Sequence, residues 1–281
     1  MYLLNIYKPV GMTSHDVVAK LRRITKIKQI GHTGTLDPFA EGVLPVCVGK
    51  ATRLIEYFAD DKEYLATVQL GSATTTYDTE GEKTFVSDKK ISRSDIENAI
   101  KAFEGEIEQF PPIYSAIKVK GKKLYEYARN GEDVEIQPRK VFIEKIELKT
   151  FDENLQQAEI LIKCSKGTYI RSIADDLGKN LECGGHLIKL IRTQAGNFRV
   201  ENSVQLDGID VEKNALNPLE MINLPKVEVS CEDLEKIKHG IALENENLCH
   251  GDIVILVYNK DEICAVAAAD NDKIRLKKVF L

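Results

Sequence analysis

Residues 31 to 44, Gly-His-Thr-Gly-Thr-Leu-Asp-Pro-Phe-Ala-Glu-Gly-Val-Leu, concentrate polar and backbone-permissive residues between apolar neighbours. Gly31, Gly34 and Gly42 permit positive φ or the close approach of another molecule, and Pro38 pushes Asp37 away from helical geometry. Asp37 is therefore presented from a loop. A carboxylate held this way can attack an electron-poor carbon as a nucleophile or remove a proton as a base. Two-carboxylate hydrolysis of a glycosidic bond would need a partner acid, and Glu41 is the only nearby candidate. Asp-Pro is also a common turn dipeptide, and taken alone a turn explains the loop.

Other stretches hold side chains suited to a site. Lys62 to Leu70 alternates Tyr64, Ala66, Val68 and Leu70 as a strand does, which puts Tyr64 on the apolar face, where a core tyrosine would also lie. Gly71 to Gly81 is rich in hydroxyls and lacks periodicity, so Asp78 lies in a loop. From Gln109 to Gly131, Lys118, Lys120, Lys122 and Lys123 bracket Gly121 and interleave with Tyr114, Tyr125 and Tyr127. That mixture suits contacts to phosphates and bases, and equally an ordinary loop followed by a helix. Further on, a strand ends at Gly167 and Arg171 sits near the start of a helix running to Leu177, where an arginine commonly makes a weak surface ion pair.

These residues need elements to position them. Residues 2 to 7 read as a strand, Lys8 to Ser14 as a turn, and His15 to Thr25 as a helix capped by Thr13 or Ser14. Leu44 to Val48 is a short strand, and a helix runs from Gly49 to about Phe58. Residues 92 to 103 form a helix capped by Ser92 or Ser94. Residues 138 to 150 and 155 to 164 pair as strands, and 184 to 193 supply another. Two prolines interrupt the pattern between Asn214 and Pro225. Beyond them come a helix at 230 to 239 and strands at 252 to 258, 262 to 268 and 273 to 280.

The 281 residues, 43% hydrophobic and 30% charged, suit one large or two modest soluble domains. No basic leader precedes the first strand, and no apolar run approaches the roughly 20 residues of a membrane helix, so a cytoplasmic protein is expected. Cysteines 47, 164, 183, 231, 249 and 264 form no Cys-x-x-Cys pair, which argues against structural zinc and disulfides and for reduced packing residues. The net charge of −5 counts against nucleic-acid binding. Its distribution softens this. Met1 to Phe58 holds Lys/Arg at 8, 20, 22, 23, 26, 28, 50 and 53 against Asp/Glu at 16, 37, 41 and 56, whereas Glu201 to Glu262 is strongly acidic. A local basic footprint is expected, although a solvated helix face would explain residues 20 to 28 as well.

The string from Gly31 to Leu44 resembles, nearly residue for residue, the catalytic loop of the TruB family of tRNA pseudouridine synthases. The similarity covers nearly the full chain. It includes Lys8-Pro-Val-Gly-Met-Thr-Ser14, the Lys62-Glu-Tyr64 box, the loop around Asp78, Pro112 to Gly131, Gly167-Thr-Tyr-Ile-Arg-Ser-Ile-Ala-Asp-Asp-Leu-Gly178 and Leu190. The resemblance implies an α+β fold. A catalytic domain, residues 1–225, would be built on a mixed, largely antiparallel sheet with flanking helices, and residues 226–281 would form a small PUA-like RNA-binding β domain. It further implies isomerisation of uridine 55 in the TΨC loop of tRNA to pseudouridine, with the base flipped out of its stack and the glycosidic bond rearranged at an aspartate. A TruB-like catalytic set would be Asp37, its charge partner Arg171, and Tyr64 stacked on the target base.

The substrate-binding residues that the resemblance implies are His32, filling the vacated stack, Asp78 near the RNA cleft, Tyr169 and Leu190 lining the pocket, and Lys8, whose box supports the catalytic loop. Forming pseudouridine changes no oxidation state and adds no group, so no cofactor and no metal are expected. The partner implied is the T arm of tRNA, bound by a monomer without a protein partner. An alternative within the same fold is a non-catalytic RNA-binding or tRNA-folding protein. Ile191 departs from the Leu-Arg-Arg string of many relatives, which implies one RNA contact fewer.

Overall fold

In the computed structural model, which describes residues 1–245 and 247–281, the first apolar run forms β1 (Tyr2–Lys8). Helix α1 (Ser14–Thr25) follows, with Thr13 as N-cap in a reciprocal capping box with Asp16. Then come β2 (Glu41–Val48), a 3₁₀ helix (Gly49–Tyr57), β3 (Lys62–Leu70) and α2 (Arg93–Ile100), capped by Ser92. β4 (Gly105–Gln109), α3 (Leu124–Asn130), β5 (Arg139–Asp152), β6 (Gln157–Cys164), α4 (Ile170–Asn180) and β7 (Gly185–Ala195) complete the larger part of the chain.

The strands assemble into a ten-stranded sheet in the order Val204–Gln205, β1, β2, β7, β3, β6, β5, β4, with Ile30–His32 against β2 and Phe198–Arg199 against β7. Only the pairings of β1 with Val204–Gln205 and of β2 with β7 are parallel. This is the mixed, largely antiparallel sheet that the resemblance implies. β7, late in the chain, inserts between β2 and β3, and its register sets Arg192 opposite Gly42 on one side and Tyr64 on the other, with Leu190 opposite Ala66. The insertion brings three distant stretches of sequence to one place.

Alternation along β3 buries Lys62, Tyr64, Ala66, Val68 and Leu70 in turn. That face packs with Ile160, Ile162, Leu187 and Leu190 beneath α2 (Ile96, Ile100) and α4 (Ile173, Leu177). A second core lies under α1, where Val17, Val18 and Leu21 meet Leu4, Ile6, Leu44 and Val46. Gly178 and Gly185 let α4 lie directly on β7, since a Cβ on Gly178 would stand 2.0 Å from the Gly185 nitrogen.

Beyond Pro225 a five-stranded sheet forms, in the order Lys226–Glu228, Ile253–Tyr258, Glu262–Asp270, Lys273–Val279, Leu243–Glu244, covered by α5 (Cys231–Lys238). Its Ile255, Val266 and Phe280 share a buried cluster with Leu3, Cys47 and Leu54 of the larger part. Lys50 Nζ donates to the Phe280 and Leu281 carbonyls at 2.8 and 3.0 Å, and Arg53 Nη1 donates to Val279 at 2.6 Å while covering the Phe280 ring.

These contacts narrow the expected basic footprint to Arg22, Arg23, Lys26 and Lys28, which are exposed. Of its eight cations, Lys50 and Arg53 are committed to the C-terminal strand, Lys20 pairs with Asp207, and Lys8 is fully buried. Cys231 and Cys249 are exposed, so only four of the six cysteines are packing residues. Among the described residues no helix is long and apolar enough to cross a membrane.

Candidate active site

The loop carrying Asp37 is clamped from two sides. On one side the turn after β1 holds it: Gly11 N donates to the Pro38 carbonyl at 2.8 Å, and Leu36 N donates to Ser14 Oγ at 2.9 Å. Lys8 Nζ, with no exposed surface, donates to the carbonyls of Met12 (2.6 Å), Pro9 (2.9 Å) and Pro38 (3.4 Å). On the other side Arg192, also fully buried, donates through Nε to Val43 O (2.7 Å), Nη2 to Gly34 O (3.0 Å) and Nη1 to Thr35 O (3.3 Å). Gly42 makes room for this strand. Its φ is +107°, and a Cβ there would sit 2.3 Å from the Arg192 carbonyl oxygen.

Asp37 lines a cavity of about 340 Å³ together with Tyr64, Tyr169, Leu190, Arg171 and Arg192. Arg171 Nε stands 2.9 Å from Asp37 Oδ2, and Nη1 stands 3.4 Å from Asp78 Oδ2, so one guanidinium serves two carboxylates. The Arg171 side chain is 6% exposed and that of Asp78 3%, whereas Asp37 keeps 36%, turned to the cavity. Arg171 is fixed further by the Tyr114 carbonyl at 2.9 Å and the Thr76 carbonyl at 3.2 Å. Burial pushes the Asp37 pKa above the ordinary carboxylate range, Arg171 pulls it back, and Asp78 pushes it up again. An ionised Asp37 thus depends on Arg171.

Tyr169 is the N-cap residue of α4. Gln109, buried at the end of β4, brackets its backbone by accepting from Tyr169 N at 2.7 Å and donating to its carbonyl at 2.9 Å. Tyr64 is buried, which raises its pKa, while hydrogen bonding and charge from Arg192 work the other way. Asp78 is held by the Thr76 hydroxyl and by Glu80 N, and it contributes to a smaller cavity shared with Asp37, Tyr114 and Arg171.

Five of the eight residues singled out from the sequence therefore meet at one cavity: Asp37, Tyr64, Arg171, Tyr169 and Leu190. Asp78 joins them through Arg171. Lys8 does not reach the cavity: its three donors are spent on backbone carbonyls behind the loop, and burial brings its pKa down to about 8. It holds the loop up and contacts no substrate from there. His32 stands on the short strand Ile30–His32 and does not line the cavity; burial, followed by the charge of Arg192, lowers its pKa. Lys122 lies over the Tyr127 ring, and Lys123 and Arg129 lie over that of Tyr125, so basic and aromatic side chains of this stretch pack on one another. Among the cavity residues that escaped the sequence reading are Arg192 and Lys62. The signal available for both was a charged residue on the buried face of an apolar strand.

The fold that sets an aspartate, an arginine and two tyrosines around one cavity of this chain is shared with solved structures of protein and RNA–protein complexes. The chain aligns over its whole length with 85% of a chain in a structure of an H/ACA RNP bound to a substrate RNA containing 2′-deoxyuridine, at a TM-score of 0.74 and 27% identity. It aligns equally with 85% of a chain in a crystal structure of a Cbf5-Nop10-Gar1 complex, at a TM-score of 0.74 and 28% identity. Residues 22–170 match the model of the TruB family pseudouridylate synthase N-terminal domain, and residues 171–220 match that of the tRNA pseudouridylate synthase B C-terminal domain. Among similar proteins named tRNA pseudouridine synthase B, that of Caldanaerobacter subterraneus is 43% identical, covering 99% of this chain and 98% of its own. That of Staphylococcus haemolyticus is 43% identical with the same coverage, and that of Clostridium novyi is 48% identical over 75% of this chain and 72% of its own. The chain belongs to the TruB family of pseudouridylate synthases.

Proposed function

We propose that this protein converts uridine to pseudouridine in tRNA, at position 55 of the TΨC loop, and that Asp37 is the group on which the chemistry turns. The observation that carries the reading is the Asp37–Arg171–Asp78 arrangement at a cavity walled by Tyr64, Tyr169 and Leu190. The target base is extruded from folded RNA, at a cost of a few kcal/mol of lost stacking that the faces of Tyr64 and Leu190 offset. Asp37, kept ionised by Arg171, attacks C1′ as a nucleophile or takes the C2′ proton as a base. The freed base turns and rejoins through C5. Tyr64 then takes the C5 proton, with Arg192 easing the negative charge on its hydroxyl.

Residues 1–225 act as the catalytic domain and residues 226–281 as a PUA-like domain that assists RNA binding. Support for the latter comes from the compact sheet docked through Phe280 onto the 3₁₀ helix. In this reading Lys8 supports the loop, His32 fills the vacated stack, and the protein works in the cytoplasm as a monomer. Recognition of the T arm is mostly by shape and single-stranded contact, because an A-form helix hides its base edges. Tritium release from T-arm stem-loops labelled at uridine C5 tests the reading. Release confined to position 55 supports it, and no release from either stem-loop or full-length tRNA refutes it.

A further inference from the structure

Charge is unevenly distributed around the cavity. At one end, Asp37 and Asp78 share Arg171, two carboxylates against one cation. At the other end stand Lys62 and Arg192, both lining the cavity, 6% and 1% exposed, and neither has a carboxylate within ion-pair distance among the described residues. The nearest acid on the lining, Asp60, has its carboxylate on Lys166 at 2.5 Å. Two buried cations without a counter-ion are costly to hold, and such a pair is expected where an anion forms.

Lys62 has a donor to spare. Its ammonium carries three N–H groups, and the structure engages two of them, on the carbonyls of Asp60 (3.1 Å) and Asp61 (3.4 Å). Arg192 by contrast spends Nε, Nη1 and Nη2 on three backbone carbonyls. Lys62 lies on the same buried face of β3 as Tyr64, two residues earlier, so a base resting on Tyr64 is the substrate part within its reach. Burial and then the charge of Arg192 lower the Lys62 pKa, the charges of Asp60 and Asp61 offset this only in part, and an anion arriving in the cavity would raise it further.

The reaction makes such an anion. When the C1′–N1 bond breaks, its electron pair leaves with N1, and the negative charge spreads over the uracil O2 and O4. C1′ takes an electron pair from the Asp37 carboxylate, or the sugar loses its C2′ proton to it. C5 of the anion then bonds to C1′ as the C1′–O bond to Asp37 breaks and returns its electron pair to the carboxylate, or as Asp37 gives the proton back to C2′. A proton leaves C5 and a proton arrives on N1, so the formula is unchanged.

We propose that the Lys62 ammonium, set beside Arg192, stabilises the departing uracil anion through one of its carbonyl oxygens, as an oxyanion hole does in acyl transfer. The inference rests on the proposed function above. Removing one donor of this kind typically costs about 10²–10³-fold in rate.

The test compares Lys62→Met and Lys62→Arg with the unchanged protein in single-turnover reactions on T-arm RNAs carrying uridine or 5-fluorouridine at the target. Fluorine stabilises the uracil anion and so makes it a better leaving group. Loss of the starting nucleoside is read by chromatography of nuclease digests, which scores bond cleavage whether or not C5 is later deprotonated. The expected result is a loss of about 10²–10³-fold for Lys62→Met on uridine, at least tenfold smaller on 5-fluorouridine, with RNA affinity within threefold and Lys62→Arg within tenfold of unchanged protein. Equal losses on both RNAs would overturn the inference. So would weakened affinity at an unchanged rate, which would make Lys62 a phosphate contact. If Lys62→Met does not fold, Lys62→Gln is read by the same criteria. Absence of product from the unchanged protein would instead defeat the proposed function itself.

Discussion

Replacing Arg171 by alanine leaves two carboxylates facing each other across the space of one guanidinium. Arg171 is the sole ion-pair partner of Asp37 and Asp78 among the described residues, at 2.9 and 3.4 Å. Unit charges 4 Å apart interact by about 4 kcal/mol at an effective dielectric of 20, and breaking a buried pair by removing one partner costs roughly 3–5 kcal/mol. Asp37 is partly open to the cavity, so the lower end applies, about 3 kcal/mol. The Tyr114 and Thr76 carbonyls lose a donor each, adding about 1 kcal/mol apiece.

The sign with pH follows from the Asp37 carboxyl, whose pKa in the folded protein already lies above its unfolded value. Without Arg171 it rises further. Stability from such a group is fully present below the unfolded pKa and is lost as pH rises through the folded one. The deficit of Arg171→Ala is therefore largest at neutral pH and shrinks as pH falls toward 4. The chain has no tryptophan, so urea unfolding followed by far-ultraviolet circular dichroism, at pH 7.5 and 4.5, is the assay. A deficit below about 1 kcal/mol at pH 7.5, the worth of an ordinary surface pair, or an equal deficit at both pH values, would refute the electrostatic account.

Asp37→Asn should keep the fold and RNA affinity and lose the chemistry; single-turnover pseudouridine formation at saturating enzyme within about tenfold of the unchanged protein, a barrier change of only about 1.4 kcal/mol, would remove Asp37 from its role. Activity needs ionised Asp37, so the rate climbs with pH through its raised pKa, and because Asp78 is one cause of that rise, Asp78→Asn should move the acid limb of the single-turnover rate to lower pH. A limb that stays put or moves up would show that Asp78 only anchors its loop. Gly42→Ala should destabilise by at least about 2 kcal/mol, from a positive φ and a Cβ driven into the Arg192 carbonyl. An unchanged urea midpoint would mean that β2 and β7 are not held as closely as drawn.

What could be read from the sequence was what is local. Proline after Asp37, glycines around it and alternation along β3 are short-range signals, and they located the loop and the buried face of Tyr64. The helix caps at Thr13 and Ser92 likewise depend on residues three apart. The pairing of β7 with both β2 and β3 has no local signature, since it joins residues some 150 positions apart (Arg192 with Gly42) and is decided by which faces can be buried together. The charge of Arg192 on an apolar strand was a signal, but its place beside the Asp37 loop was not legible for that reason. Charge misled for a related one: counting cations along Met1 to Phe58 assumes that each is free at the surface, whereas Lys8 is buried on backbone carbonyls, and Lys50 and Arg53, although open to solvent in whole or in part, spend donors on carbonyls of the C-terminal segment. The same demand explains why an acidic protein can still build a cationic pocket. Lys62 and Arg192 owe their positions to carbonyls at the edge of the cavity, and the field they create there is set by burial rather than by net charge.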